Sequence, residues 1–162
     1  MINCKFENGS QTSLRHITVN TIIVREGKVL LGKRGTYNGK PILESGKWAL
    51  IGGFLDRDET ILDAIRREAK EESGWEIDNL QLLRINDLPD RPKEDRQNVD
   101  IIFFADAVKQ MPNENEEVKE LKWFDLDNLP PSEQIAFDHE EDINLYIKCL
   151  KNKESLNLPF LG

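Results

Sequence analysis

The chain has little cysteine: Cys4 and Cys149 stand at opposite ends, with no CxxC pair and no Cys/His cluster. A disulfide framework and a zinc site therefore have no support, and free thiols are expected. Long apolar runs are missing as well. The candidates, Thr21 to Val24 and Ile101 to Val108, are strand-sized, against the roughly 18 residues of a membrane span. The first ten residues lack the charged start and apolar middle of a secretory signal, so the expected location is the cytoplasm. Positive charge is the scarcer sign, 22 Lys and Arg against 30 Asp and Glu, a formal net charge of −8. That balance argues against nonspecific binding to nucleic acid or an anionic membrane, and a phosphorylated ligand would need local help. Internal repeats, low-complexity tracts and a linker between two halves are also absent.

What is present suits one core with a well-solvated surface: 162 residues, 38% hydrophobic and 32% charged. The expectation is a single domain over residues 1–162, with 1–14 and 153–162 peripheral. Ile17 to Val24 is a β-branched strand pattern, Arg25-Glu26-Gly27 a turn, and Lys28 to Lys33 its hairpin partner. Gly35 to Lys47 has a loop composition, and the short apolar segment Trp48 to Ile51 is expected to end at Gly52-Gly53. Thr60 to Ser73 follows a helical pattern, with Asp58 or Thr60 to cap its start and Gly74 to end it. Strand patterns follow at Glu76 to Ile85, Gln97 to Val108 and Val118 to Phe124, and a second helix is expected across Ser132 to Lys151. Strands interrupted by two helices give a mixed α/β (α+β) fold class.

The first helix breaks its own amphipathic pattern. At about 100° per residue from Ile61, Ile65 lies at about 40°, Ala69 at about 80° and Leu62 at about 100°, which makes the core stripe. Glu72 falls at about 20°, Glu68 at about 340° and Glu71 at about 280°, inward or along the core's edge. Three like charges at i, i+3 and i+4 repel and require a compensating cation. Arg66 and Arg67 are expected to point elsewhere, whereas a divalent metal would sit among all three, and hard oxygen ligands favour Mg2+ or Mn2+. The plainer alternative is a solvated acidic face with an Arg67–Glu71 pair.

The larger pattern is Gly53, five residues, Glu59, seven residues, then Arg67-Glu68-Ala69-Lys70-Glu71-Glu72-Ser73-Gly74-Trp75. It resembles the Nudix box at every specified position. Trp48 to Phe54 resembles the family's strand into the box, and Leu121 to Phe124 followed by Leu129-Pro130 resembles its later strand and turn. Ile51 departs from the pattern, since many members carry proline before the paired glycines.

The resemblance implies the Nudix fold, an α/β/α sandwich with a mixed central sheet, a box helix and a C-terminal helix. It also implies hydrolysis of the diphosphate linkage in a nucleoside diphosphate joined to another group, using two or three Mg2+ ions, with Mn2+ as substitute. Carried over by position, Glu68, Glu71, Glu72 and the Gly52 carbonyl are the metal ligands. Glu59 and Arg67 support the helix, or else simply cap and pair at its surface. The general base is Glu117, with Glu116 second, in a loop that also offers Glu114 and Glu120; Glu68 is the alternative. Lys33 and Arg34, and Arg91, Lys93 and Arg96, are candidate phosphate contacts.

Ile135 to His139 resembles the start of the last helix in the ADP-ribose-hydrolysing branch, which makes ADP-ribose the favoured substrate. His139 itself is expected to be structural. Alternatives on the same scaffold are a nucleoside triphosphate or diadenosine polyphosphate hydrolase, and a noncatalytic nucleotide-sensing regulator. The partner is thus a small nucleotide rather than nucleic acid or membrane; a homodimer and a loop 35–47 that closes over substrate complete the expectations.

Overall fold

A computed structural model describes residues 2–91, 98–112, 115, 117–152 and 160–161. The N-terminal segment forms a separate hairpin of β1 (Ile2–Lys5) and β2 (Gln11–Leu14). The β-branched run then gives β3 (Ile17–Arg25). Glu26 and Gly27, both at positive φ, make the two-residue turn whose twist matches a hairpin, and the chain returns as β4 (Lys28–Arg34).

Segment 35–47 is not uniformly loop. It contains a small hairpin of β5 (Thr36–Tyr37) and β6 (Lys40–Pro41), closed by Asn38 and Gly39 at φ 50° and 71°. Next come β7 (Trp48–Ala49) and β8 (Ile51–Phe54). The paired glycines do not end the apolar segment, because β8 runs through them against β3, pairing Gly52 with Asn20 and Gly53 with Val19. A Cβ at position 52 would stand 2.0 Å from the Val19 carbonyl oxygen, so only glycine permits this approach.

Helix α1 (Ile61–Glu68) begins at Thr60, whose hydroxyl accepts from the Asp63 N–H. It continues as a π-helical turn over Ala69–Ser73, and Gly74 at φ 69° ends it. The core stripe is narrower than an ideal wheel gives: Ala64, Ile65 and Ala69 are buried, whereas Leu62 is 42% exposed. Beyond the helix lie β9 (Trp75–Asn86), β10 (Val99–Gln110) and β11 (Val118–Asp125).

The second helix, α2 (His139–Asn152), starts seven residues later than Ser132. Ser132–Gln134 is a single 3-10 turn, and the buried Ile135 then bridges to Trp48 in extended form. Phe137 at φ 52° cannot join a right-handed helix, which delays its start to His139. Two residues of the tail, β12 (Phe160–Leu161), add to the outer edge of the sheet.

The main sheet runs β11-β4-β3-β10-β9-β12, with β7 beside β4 and β8 beside β3. It is mixed: β10 is parallel to β3 and β12 to β9, and the other pairs are antiparallel. Strand alternation splits the core into two layers. Val19, Ile23, Ile51, Phe103 and Ala105 pack with Ala64, Ile65 and Ala69 of the first helix. Ile22, Val29, Leu31, Leu83 and Ile102 pack with Ile143 and Tyr146 of the second. This is the α/β/α sandwich expected from the sequence. Both cysteines are free, and no helix among the described residues is long and apolar enough to cross a membrane.

The sheet also forks. β3 pairs with β4 only from Ile23 to Arg25, while its earlier half, Thr18 to Thr21, pairs with β8. Thr18 and Asn20 of β3 and Gly52 to Phe54 of β8, at this fork, line a cleft.

Candidate active site

Arg67 is the hub of the box helix. Its guanidinium forks onto Glu59, Nε to Oε2 at 3.0 Å and Nη2 to Oε1 at 2.7 Å. Nη1 donates to Glu68 Oε1 at 2.9 Å and to Glu71 Oε2 at 3.3 Å, and Nη2 also donates to the Phe54 carbonyl at 3.1 Å. Arg67 does not point elsewhere, as its place in sequence suggests; it compensates two of the three box carboxylates and ties the helix to the end of β8. The Arg67 fork, helped by the Asp56 N–H, holds Glu59 below the usual carboxylate range. The sequence-level alternative of a helical Arg67–Glu71 pair is therefore present, but as one arm of a larger clamp.

The carboxylates are not equivalent. The Glu71 side chain is 58% exposed, so it lies outside the core edge where the ideal wheel puts it, whereas Glu68 is 13% exposed. The π-helical turn changes the angular step after Glu68, which accounts for part of the difference. Glu72 reaches over β8, and its Oε2 accepts the Gly52 N–H at 2.9 Å. Glu68 sits over Gly53, where a Cβ would come within 2.4 Å of its Oε1. The second glycine thus leaves the space that the carboxylate occupies.

Burial raises the affinity of both inward carboxylates for protons. Glu68 is pushed up by desolvation, partly offset by Arg67, with Glu71 and Glu117 adding repulsion. Glu72 is pushed up to about 8 by desolvation, against the Gly52 N–H, with Glu68 and Glu117 repelling it and Arg34 opposing them. Two buried carboxylates in want of positive charge, beside a glycine cradle, fit a hard divalent cation. Among the described residues no three acidic side chains are drawn into a closed cage.

These groups line one side of a cleft of about 660 Å³. Glu117 faces them from the start of β11, where Gly35 N–H donates to its carbonyl and its own N–H donates to Asn115 Oδ1. Asn115 in turn donates to the Glu71 carbonyl at 3.1 Å, which fixes this loop to the box helix. Arg34 also lines the cleft.

Another part of the lining is a buried polar network centred on Arg91, in which Asn86 donates to Asp138 and keeps an unpartnered Oδ1. Arg91, buried, forks onto Asp138, Nε to Oδ2 at 2.9 Å and Nη2 to Oδ1 at 2.6 Å, and donates to Asn98 Oδ1 at 2.8 Å. It also reaches Asp100 at 3.4 Å, whose carboxylate accepts from Asn20 and Thr18. Although burial acts to raise it, Asp138 is held low by the Arg91 hydrogen bonds and charge. His139 is buried and neutral, with desolvation driving it down to about 3, and its Nδ1 accepts the Leu50 N–H at 3.0 Å. It anchors α2 to β7 and β8, the structural role expected of it.

Among the described residues, Arg34 alone of the phosphate contacts read from sequence both lines the cleft and lies outside the Asp138 network. Lys33 turns to Glu120 at 3.7 Å and to the Trp48 ring, away from the cleft lining. Arg91 lines the cleft, but its donors are directed at Asp138, Asn98 and Asp100. Arg96 and Glu116, with Lys93 and Glu114, lie outside the described residues. Sequence reasoning passed over Asn20, Asp100 and Phe137. Asn20 and Asp100 carried a signal, a polar residue inside an apolar strand pattern; Phe137 carried none.

A family model for the NUDIX domain matches residues 14–146. An ADP-ribose pyrophosphatase of Methanocaldococcus jannaschii is 36% identical over 132 residues, 82% of this chain and 73% of the relative. An oxidized purine nucleoside triphosphate hydrolase of Danio rerio is 37% identical over 120 residues, 72% of this chain and 70% of the relative. In fold, the chain superposes on the crystal structure of a NUDIX hydrolase from Nitrosomonas europaea with a TM-score of 0.74 at 23% identity, covering 95% of this chain and 82% of that one.

Proposed function

The chain belongs to the Nudix family and is a hydrolase of phosphorus-containing anhydrides; on that premise we propose that it cleaves ADP-ribose to AMP and ribose 5-phosphate. The unit that acts is one Nudix domain spanning residues 1–162. The observation that carries the site is the seating of two buried carboxylates on paired glycines, Glu72 on the Gly52 N–H and Glu68 in the space over Gly53. The substrate reading is supported by the relative named ADP-ribose pyrophosphatase, which matches across most of the chain.

Glu68, Glu71, Glu72 and the Gly52 carbonyl would hold Mg2+, two or three ions, with Mn2+ as substitute. When bound, such ions neutralise the diphosphate and make water acidic enough to attack. Arg67 keeps Glu68 ionised and oriented, acting on the reaction through that carboxylate. Glu117 takes the proton of the attacking water, with Glu116 and Glu68 as the other candidates. The water oxygen bonds to one phosphorus, the bridging P–O bond breaks, and the leaving phosphate carries away the electron pair. Arg34 balances negative charge on the cleft side nearest Glu72.

A panel of ADP-ribose, nucleoside triphosphates and diadenosine polyphosphates, assayed with Mg2+ and with product identification, tests the reading. Release of AMP and ribose 5-phosphate with the highest kcat/KM for ADP-ribose is the expected result. Preference for a purine nucleoside triphosphate, the activity in the name of the Danio rerio relative, would replace the substrate. No turnover of any member would favour a nucleotide-sensing role.

A further inference from the structure

Next to the carboxylates, past Arg34, the lining of the cleft changes in chemistry. Arg34 stands with its guanidinium carbon 4.9 Å from the Phe137 ring centroid, and its Nε donates to the Leu43 carbonyl at 2.7 Å. The Phe137 ring contacts the His139 ring at 5.3 Å and 60°, and His139 is itself fixed by the Leu50 N–H. Tyr37, carried on the tight β5–β6 hairpin, and the half-buried Ile42 line the same cleft, and Tyr37 remains 57% exposed.

Phe137 occupies its place at a conformational cost. At φ 52° a bulky side chain is held where glycine is normally required, between the buried Ala136 and Asp138. The neighbouring bonds over-determine that conformation: Ala136 N–H donates to the Trp48 carbonyl, and Asp138 is gripped by Arg91. A strained backbone that presents an aromatic ring to a cleft, with a planar cation against it, matches a flat heteroaromatic ligand. A phosphate makes no use of a ring face and a sugar offers it only C–H groups, whereas a base stacks over its whole plane.

We propose that the Arg34–Phe137 pair, with Tyr37, is the stacking platform for the nucleobase of the substrate. The assignment deepens the nucleotide-hydrolase reading and rests on it: the diphosphate lies toward Glu68 and Glu72, and the base lies toward Phe137. It makes Phe137 and Tyr37 determinants of affinity rather than of the chemical step.

The two products of ADP-ribose cleavage supply the test, because AMP carries a base and ribose 5-phosphate does not. Binding of AMP, GMP, UMP and ribose 5-phosphate is measured by calorimetry for the wild-type chain and for Phe137→Gly, Phe137→Trp and Tyr37→Ala. Phe137→Gly removes the ring while suiting the positive φ, so it retains the fold. The wild type is expected to bind at least one nucleoside monophosphate more tightly than ribose 5-phosphate. Phe137→Gly should weaken that binding by about ten-fold and Tyr37→Ala by several-fold, with ribose 5-phosphate unchanged and Phe137→Trp restoring affinity. Equal binding of all four ligands by the wild type, no binding of any nucleotide, or parallel loss of ribose 5-phosphate in Phe137→Gly overturns the platform. If ADP-ribose proves not to be hydrolysed while the ring still discriminates AMP from ribose 5-phosphate, the substrate assignment falls and the platform stands.

Discussion

Two ionic clusters line the same cleft, and they are built to opposite ends. In the wall made by Arg91, Asp138, Asp100, Asn98 and Asn20, buried donors meet buried acceptors and each guanidinium nitrogen of Arg91 has a protein partner. In the wall made by the box helix, Arg67 serves Glu59, Glu68 and Glu71, while Glu72 has one backbone N–H and the charge of Arg34 against its burial and the repulsion of Glu68 and Glu117. A cluster that closes on itself holds elements together. A cluster that is short of positive charge holds a place for something else.

The largest effect should come from the under-compensated wall. Glu72→Gln is expected to lower kcat by orders of magnitude, with the circular dichroism spectrum and melting temperature near those of the wild type. Near-normal turnover would remove Glu72 from the machinery. The closed wall should respond the other way. Arg91→Met leaves Asp138 and Asp100 buried without their cation, and a loss of about 3–5 kcal/mol in urea unfolding is expected. A smaller loss combined with a kcat collapse would make the Arg91 wall catalytic and erase the distinction.

The clusters also differ in their pH response. Glu72 binds its proton more tightly folded than unfolded, so its contribution is full below about pH 4.5 and is lost as pH rises toward about 8. His139 is the reverse: its folded value is driven down to about 3, so its contribution is full above about pH 6.5 and is lost as pH falls. With chelator present, the stability of the wild type relative to Glu72→Gln should therefore decline from pH 5 to 8. Relative to His139→Gln it should decline from pH 6.5 to 4. Parallel slopes in the two comparisons would contradict the assigned environments. The smallest effect belongs to Lys33, which stands outside both walls in a half-exposed pair with Glu120. Lys33→Ala should change stability by less than about 1 kcal/mol and leave kcat/KM unaltered; a ten-fold rise in KM would return it to the substrate contacts.

The open wall was legible in the sequence because its residues are local. One helix and the turn before it carry Gly53, Glu59, Arg67, Glu68, Glu71 and Glu72, so spacing alone brings them together. Even there, an ideal helix misplaces Glu71 and Leu62, since spacing does not announce a π-helical turn. The closed wall was not legible, because it is assembled from three distant segments. Arg91 sits in a charged, proline-bearing stretch that reads as solvated, and only folding brings it to Asp138, 47 positions away. The late start of α2 escaped for a related reason. Ile135 has a helical period in sequence, but it bridges to Trp48, a long-range contact that overrides local preference. The strands β3, β4, β9, β10 and β11 were readable because alternation and β-branching are local signals.

The paired glycines carry a practical consequence for anyone wishing to retarget the enzyme. Position 52 is closed by the β3 backbone, which cannot retreat, and the space over position 53 is taken by the Glu68 carboxylate. The exposed Tyr37 meets no such steric veto, and position 137, at φ 52°, selects only for residues that tolerate a left-handed backbone. A combinatorial library that randomises Thr36 to Leu43 together with Phe137, holding Gly52 and Gly53 invariant, should therefore yield many folded members that differ in the nucleotide they accept. The same diversity introduced at Gly52 should yield mostly insoluble chains.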